Sequence, residues 1–430
     1  MSQNVIWAKP GSEINQAIQL FLAGGDIVLD QELFLYDIQA SKSHAIGLLR
    51  IGVLNESENS QLQEQLDVLA GLFEQGQFIL DARFEDGHSA IEQHLTEQLG
   101  DVGKKIHTGR SRNDQVLVAS RLWLKQQLNS LLQHTKAIAQ ITLQRAELEA
   151  MLPLPGYTHM QRAMVSSLGM WWGAWAEGFI DNALRAKQAV ELIDANPLGS
   201  ASGFGVNLNL DREFCTQQLG FDRTQQIATY AQLSRGKYEI AALDALLSAM
   251  GDLRRLAWDI SLFTSSEFGF VSLPAEYLTG SSLMPNKRNP DLIELLRASY
   301  ATVSGARAEM EQLLSLPSGY HRDLQFTKAP VMRGFSHGLA ALALLPDLLE
   351  GLQWNESAIN DALEPSMHAT DLALELSVQG IPFREAYKQA ANSELWLNRD
   401  AADSLNARVS EGSGVNLGLE KLKARLHSLS

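Results

Sequence analysis

From Asp114 to Leu152 the chain contains neither proline nor glycine. Along that stretch Leu117, Leu124, Leu128, Leu131, Leu132, Ile138 and Ile141 recur at spacings of three, four and seven, and Gln, Lys and Arg fill the opposite face. Those spacings are the period of an α-helix. With nothing to interrupt it, the run predicts about ten turns, roughly 55 Å at 1.5 Å per residue. A helix of that length takes most of its stability from packing rather than from propensity. The chain is therefore read as a bundle of long helices that support one another.

Four further stretches carry a helical pattern. Arg162–Ala195 is apolar and rich in tryptophan (Trp171, Trp172, Trp175), and Ser234–Phe268 mixes acidic with Leu and Ala positions. Asp291–Leu316 opens with Asn289 as a candidate N-cap and Pro290 at the first helical position, beside Asp291 at the positive end of the helix dipole. Thr327–Gly351 is the fifth. Few runs alternate with period two, so the expected class is all-α: a central long-helix bundle with two smaller, mainly helical end domains. Glycines at 24, 25, 76, 87 and 100 break the first part into shorter segments, and segments shorten again after Gly351. The expected divisions are residues 1–106, 107–351 and 352–430.

Charge narrows the function. The chain carries 35 Lys+Arg against 50 Asp+Glu, a formal charge of −15. Proteins that bind nucleic acid or anionic membranes in general show a basic surface, so neither partner is expected. The single cysteine, Cys215, makes no internal disulfide and no thiolate metal cluster, which suits a reducing compartment. The most apolar run, Leu339–Leu349, is too short for a membrane span and contains Pro346. The first residues lack the basic-then-apolar pattern of a signal peptide. A soluble, cytoplasmic protein is expected.

The cations gather in polar segments at the ends of the long helices. His107-Thr108-Gly109-Arg110-Ser111-Arg112-Asn113-Asp114 opens the first, where free N–H groups, the dipole and two arginines suit an anion. Pro155-Gly156-Tyr157-Thr158-His159-Met160-Gln161 is expected as a turn between two helices, with a histidine that can exchange a proton near neutral pH. Gly280-Ser281-Ser282-Leu283-Met284-Pro285-Asn286-Lys287-Arg288-Asn289 places two cations just before a helix N-terminus, against the dipole, a conflict that a bound anion would relieve. A weaker polar stretch holds Tyr320, Arg322, Gln325 and Lys328. The segment Asp86-Gly87-His88 to Glu92 reads as a structural polar cluster. No Walker loop, His-Glu-x-x-His or Gly-x-Ser-x-Gly pattern occurs.

Together these segments resemble the aspartase/fumarase superfamily. The Gly280-Ser281-Ser282-x-Met284-Pro285-x-Lys287-x-Asn289 loop looks like its signature. The segments at 107–115 and 156–161, and the Tyr320, Gln325, Lys328 spacing, are similar to the argininosuccinate lyase branch; fumarases and adenylosuccinate lyases usually carry Arg where Tyr157 stands. The resemblance runs from about residue 30 to 350. It implies a homotetramer, assembled through region 107–351, whose active sites draw on three subunits. It also implies cleavage of argininosuccinate to arginine and fumarate, with no metal or organic cofactor. By the same resemblance Ser281 is the general base, His159 serves the leaving nitrogen, and Lys287 and Asn289 stabilise the carbanion. Ser111, Arg112, Asn113, Thr158, Ser282, Met284, Tyr320, Gln325 and Lys328 would hold the substrate. The N-terminal pattern departs from the family at Trp7-Ala8-Lys9-Pro10-Gly11, where Ser12 could substitute. That departure leaves a lyase for another N-substituted succinate as an alternative, ahead of a crystallin-like structural protein.

Overall fold

The computed structural model describes Ile18, Phe21 and residues 24–81, 83–392 and 394–429. The altered stretch at 7–11 and Ser12 lie outside the described residues. The expected long helices form. We label α1 (Asp26–Arg50), α2 (Glu56–Glu74), α3 (Gly87–Leu99), α4 (Arg112–Leu148), α5 (Leu168–Ile193), α6 (Lys237–Phe263), α7 (Asp291–Leu313) and α8 (Lys328–Ala343). The run without proline or glycine becomes the 37-residue α4.

Two compact units divide the chain. One comprises the described residues up to 130 with 186–245 and 303–336; the other comprises 131–185, 246–302 and 337–429. In the first, Phe34, Ile38, Leu48, Leu62, Leu66, Leu69, Ile91 and Leu95 make an apolar core among α1, α2 and α3. A second cluster joins Ala40 to Val118, Leu122, Leu198 and Phe221. Close packing in this unit needs glycine at 334: a Cβ there would lie 2.9 Å from Leu243 and 3.3 Å from Ala306.

In the second unit polar contacts register the helices. Trp171 Nε1 of α5 donates to Asp259 of α6 at 2.9 Å, and Asn182 Nδ2 donates to Asp252 at 2.7 Å. The Arg297 guanidinium of α7 lies 4.0 Å from the Trp258 ring centroid of α6. Beyond α8, short helices include α9 (Ala369–Val378) and α10 (Phe383–Ala391), which share a core of Leu372, Ala373 and Ala390.

Three expectations change. Residues 162–167 are not helical. They belong to β2 (Gln161–Ser167), which pairs antiparallel with β1 (Pro153–Thr158), so the expected helix–turn–helix is a strand hairpin followed by α5. The expected helix over 327–351 is two helices, because Pro346 starts a new one, Leu345–Glu350, where its missing N–H costs nothing. Finally, α7 begins at Asp291. Asn289 is not its N-cap: it pairs with Thr279 in a short antiparallel ladder, and the Pro290 carbonyl accepts the first helical bonds from Ile293 and Glu294.

Candidate active site

In the first unit, Ser111 and Asp114 open α4 as a reciprocal cap. Ser111 Oγ accepts from Asn113 N at 3.3 Å, and Asp114 Oδ1 accepts from Ser111 N at 2.9 Å. Two orphan donors at the helix start are thereby satisfied. Asp114 is wholly buried, and its other oxygen accepts from Gly199 N at 3.0 Å and Ala201 N at 2.8 Å. Burial pushes its carboxyl up, against those three N–H bonds. Asn113 sits half-buried in the first turn.

Three cations of the polar segments in this unit have polar or acidic partners. Arg110 is buried, with Nη1 donating to Ser41 Oγ at 2.8 Å. Arg112 donates to both Glu85 oxygens, at 2.7 and 3.1 Å, and lies 3.3 Å from Asp86. Burial opposes its charge, but the Glu85 bonds and the Asp86 carboxylate outweigh it and hold the guanidinium above its ordinary range. Lys328, at the start of α8, is also buried. Its Nζ reaches Asp30 at 2.8 Å and Asp26 at 3.0 Å. Burial works against that charge too, and the two carboxylates reverse the effect, so its pKa rises.

Asp26 and Asp30 were not singled out in the sequence. Their signal is present, since residues four apart share one helix face, but their target lies about three hundred residues away. Tyr320 is partly exposed, with the Arg235 guanidinium 5.4 Å from its ring centroid. Gln325 lies in the short 3-10 helix Arg322–Thr327, where its Oε1 accepts from Arg322 Nε at 3.1 Å. Lys328, Tyr320 and Gln325 thus share one arm, steadied by Arg235 Nη2 donating to Leu324 O at 3.2 Å.

In the second unit, His159 and Met160 form the two-residue tip of the β1–β2 hairpin. Both have positive φ, 54° and 61°, the pair of signs that a type I′ turn requires and that Asn-Gly would supply more easily. Left-handed backbone costs roughly 1–3 kcal/mol at such residues. Thr158, His159 and Met160 are exposed at this tip. The strand register shifts between Gly156 and Tyr157, where a Cβ at Gly156 would lie 2.7 Å from the Met164 carbonyl oxygen. Tyr157 packs edge-on against Phe268 at 5.6 Å between centroids and fixes the arm. The hairpin therefore carries an imidazole on a rigid stalk.

The signature loop is a second hairpin. Thr279–Gly280 pairs with Arg288–Asn289, and residues 281–287 make the connection. Ser281 folds back so that Oγ accepts from Met284 N at 3.1 Å and Leu283 N at 3.3 Å. Lys287 N donates to Met284 O at 3.1 Å. Thr279 Oγ1 donates to Asp291, tying the ladder to α7. Ser281 and Asn289 are half-buried, while Ser282, Met284 and Lys287 are exposed. Two N–H groups aimed at one hydroxyl oxygen favour its deprotonated form. The structure thus gathers Ser281, Ser282, Met284, Lys287 and Asn289 in one loop, Thr158 and His159 at one hairpin tip, and the remaining candidates at the α4 start and the 320–328 arm.

The helical fold is that of the lyases of the aspartase/fumarase kind, and residues 26–305 match the family model described as lyase. The chain is 59% identical to the argininosuccinate lyase of Stenotrophomonas maltophilia (strain R551-3), over 99% of this chain and 100% of that one. It is 59% identical to that of Xanthomonas axonopodis pv. citri (strain 306), over 99% of each. The chain belongs to the argininosuccinate lyase family. A crystal structure of EDDS lyase in complex with formate has the same fold, with a TM-score of 0.79 at 22% identity over 97% of this chain and 91% of that one.

Proposed function

We propose that the protein cleaves argininosuccinate into arginine and fumarate by β-elimination, in arginine biosynthesis. A base removes a proton from the carbon beside a succinyl carboxylate. The C–H electron pair forms the fumarate double bond, the C–N bond breaks, and the guanidino nitrogen leaves with the C–N pair and receives a proton.

Ser281 is the base. The observation that carries this role is its Oγ accepting the Leu283 and Met284 amides. A hydroxyl is a poor base at neutral pH, and N–H groups that stabilise the alkoxide lower its pKa. Lys287 and Asn289 hold the carboxylate that takes up negative charge as the proton leaves, the kind of stabilisation that contributes most to such barriers. His159, on its stalk, gives the proton to the leaving nitrogen, directly or through water.

Argininosuccinate carries an α-amino-acid head, and a buried ammonium between two carboxylates is chemically matched to such a zwitterion. Lys328 with Asp26 and Asp30 therefore faces the arginine head, along with Tyr320 and Gln325. Ser111, Arg112, Asn113, Thr158, Ser282 and Met284 position the succinyl part. In this reading Arg112 acts while held by Glu85, as an oriented donor.

A homotetramer, assembled through region 107–351 with smaller regions 1–106 and 352–430, would bring the segments together from three subunits. The reading also places the enzyme in the cytoplasm and needs no cofactor. Among the described residues no helix is long and apolar enough to cross a membrane. The test is to mix purified protein with argininosuccinate and follow fumarate by ultraviolet absorbance. Ser281→Ala should lower the rate by about 10²–10⁴ with unchanged melting. Near-full turnover in that variant removes Ser281 from the role, and no fumarate from well-folded wild type removes the function.

A further inference from the structure

Beside the 320–328 arm, within the first unit, lies a cavity of about 20 Å³ bordered by Arg121, Trp123, Arg235, Glu239 and Lys328. It is a narrow cleft with room for the centre of one small occupant. Its lining is rich in donors. Arg121 is 1% exposed and Arg235 6%, yet among the described residues Arg121 Nη2 and Arg235 Nε and Nη1 have no hydrogen-bond acceptor. Trp123 Nε1, on a side chain 5% exposed, also has none among them. Each buried nitrogen without an acceptor costs the desolvation of its N–H, and here four belong to side chains that border one cavity.

The other contacts of these side chains leave the deficit in place. Arg121 Nη1 donates to the Ile193 and Ala195 carbonyls at 3.4 and 3.1 Å, and its guanidinium lies 4.3 Å from the Tyr238 ring centroid. Arg235 uses only Nη2, on the Leu324 carbonyl. Glu239 Oε2 accepts from Gly236 N at 2.6 Å, and Lys328 Nζ is held by Asp26 and Asp30. Burial draws the Arg121 pKa down to about 10, and that of Arg235 down as well, although the Glu239 charge acts the other way on both. Three cations, Arg121, Arg235 and Lys328, here stand with three acids, Glu239, Asp26 and Asp30.

A water molecule in the cavity could accept two hydrogen bonds and would bring two protons of its own into a space already crowded with donors. A monatomic anion accepts from every side and brings none. We infer that this cavity is a binding site for a single halide ion, chloride under ordinary conditions, held by Arg121, Arg235 and the Trp123 indole. The ion gives these nitrogens an acceptor and joins α4 to the segment before α6. Through Arg235 it also backs Tyr320 and the Leu324 carbonyl.

The test exchanges chloride for bromide in the full-length protein and records anomalous diffraction at the bromine edge. A peak between the Arg121 and Arg235 guanidiniums is expected, and its absence overturns the site. In solution, raising chloride from 1 to 100 mM at constant ionic strength, with gluconate as the replaced anion, should raise Tm by about 2 °C or more. Trp123→Phe, which keeps the ring and removes one donor, should reduce that rise at least twofold. An equal response to gluconate and chloride, or an unreduced response in Trp123→Phe, counts against the site.

Discussion

Gly156→Ala tests whether the stalk beneath His159 sets the rate. The added Cβ would lie 2.7 Å from the Met164 carbonyl oxygen on the facing strand and 3.5 Å from Ser166 Cβ. The obstructing atom is backbone, so no side chain can turn away. Restoring ordinary contact at 3.4 Å needs the strands to part by about 0.7 Å at the register shift. Three residues further on, that displacement is carried to the hairpin tip. Misplacement of a reacting group by about 1 Å costs on the order of 10²-fold, so kcat for fumarate release should fall about 10- to 100-fold. Overpacking should also cost about 1–3 kcal/mol of stability. The assay is fumarate absorbance at 25 °C, where the variant remains folded, beside a thermal melt. Wild-type kcat with wild-type Tm would show that the bulge absorbs a methyl group and that the tip does not depend on it.

Met160→Gly should act in the opposite sense on stability: glycine adopts the left-handed conformation without strain, and Tm should rise by the equivalent of about 1 kcal/mol; a fall would refute a strained tip. Asp30→Asn removes one carboxylate from buried Lys328, while Asp26 remains, so unfolding free energy in urea should drop by about 3 kcal/mol. The double variant Asp30→Asn/Lys328→Met should lose less than the sum of the singles, and strict additivity would refute the coupling. His88 is buried against Asp37; burial opposes its charge, but Asp37 prevails and pushes its pKa up to about 9. Its contribution is complete below the unfolded value near 6.5 and is lost as pH rises through about 9. Tm should fall across that window in wild type and fall less in His88→Gln.

The long helices and the polar segments between them are legible in the sequence. The absence of proline and glycine over 114–152 marked α4, and the serine loop and Thr158-His159 stood out as polar interruptions. The hairpin was not legible. Gln161–Ser167 runs without a break signal into the tryptophan-rich α5, and its turn carries His-Met where a hairpin usually advertises itself with Asn-Gly. The state of the cations was equally hidden. Lys287 and Arg288 remain exposed, but Arg112 and Lys328 are held by acids far away in sequence. The segments show where the basic residues lie along the chain; pairing makes Arg112 and Lys328 oriented, partly neutralised groups.

What the sequence determined by itself was periodic or local: the long helices, because the 3.6-residue repeat is written along the chain, and the chemical segments, because their residue types are improbable as mere connections. What the tertiary structure decided was every property that depends on an approach between distant residues. The bulge at Gly156 exists because the Met164 carbonyl faces it. The Ser281 hydroxyl receives two amides because a two-rung ladder closes the loop. Lys328 keeps its charge when buried because Asp26 and Asp30 reach it from another helix. Coulomb and contact energies fall off over a few ångströms, so their outcome is set by distance in space and cannot be read from distance along the chain.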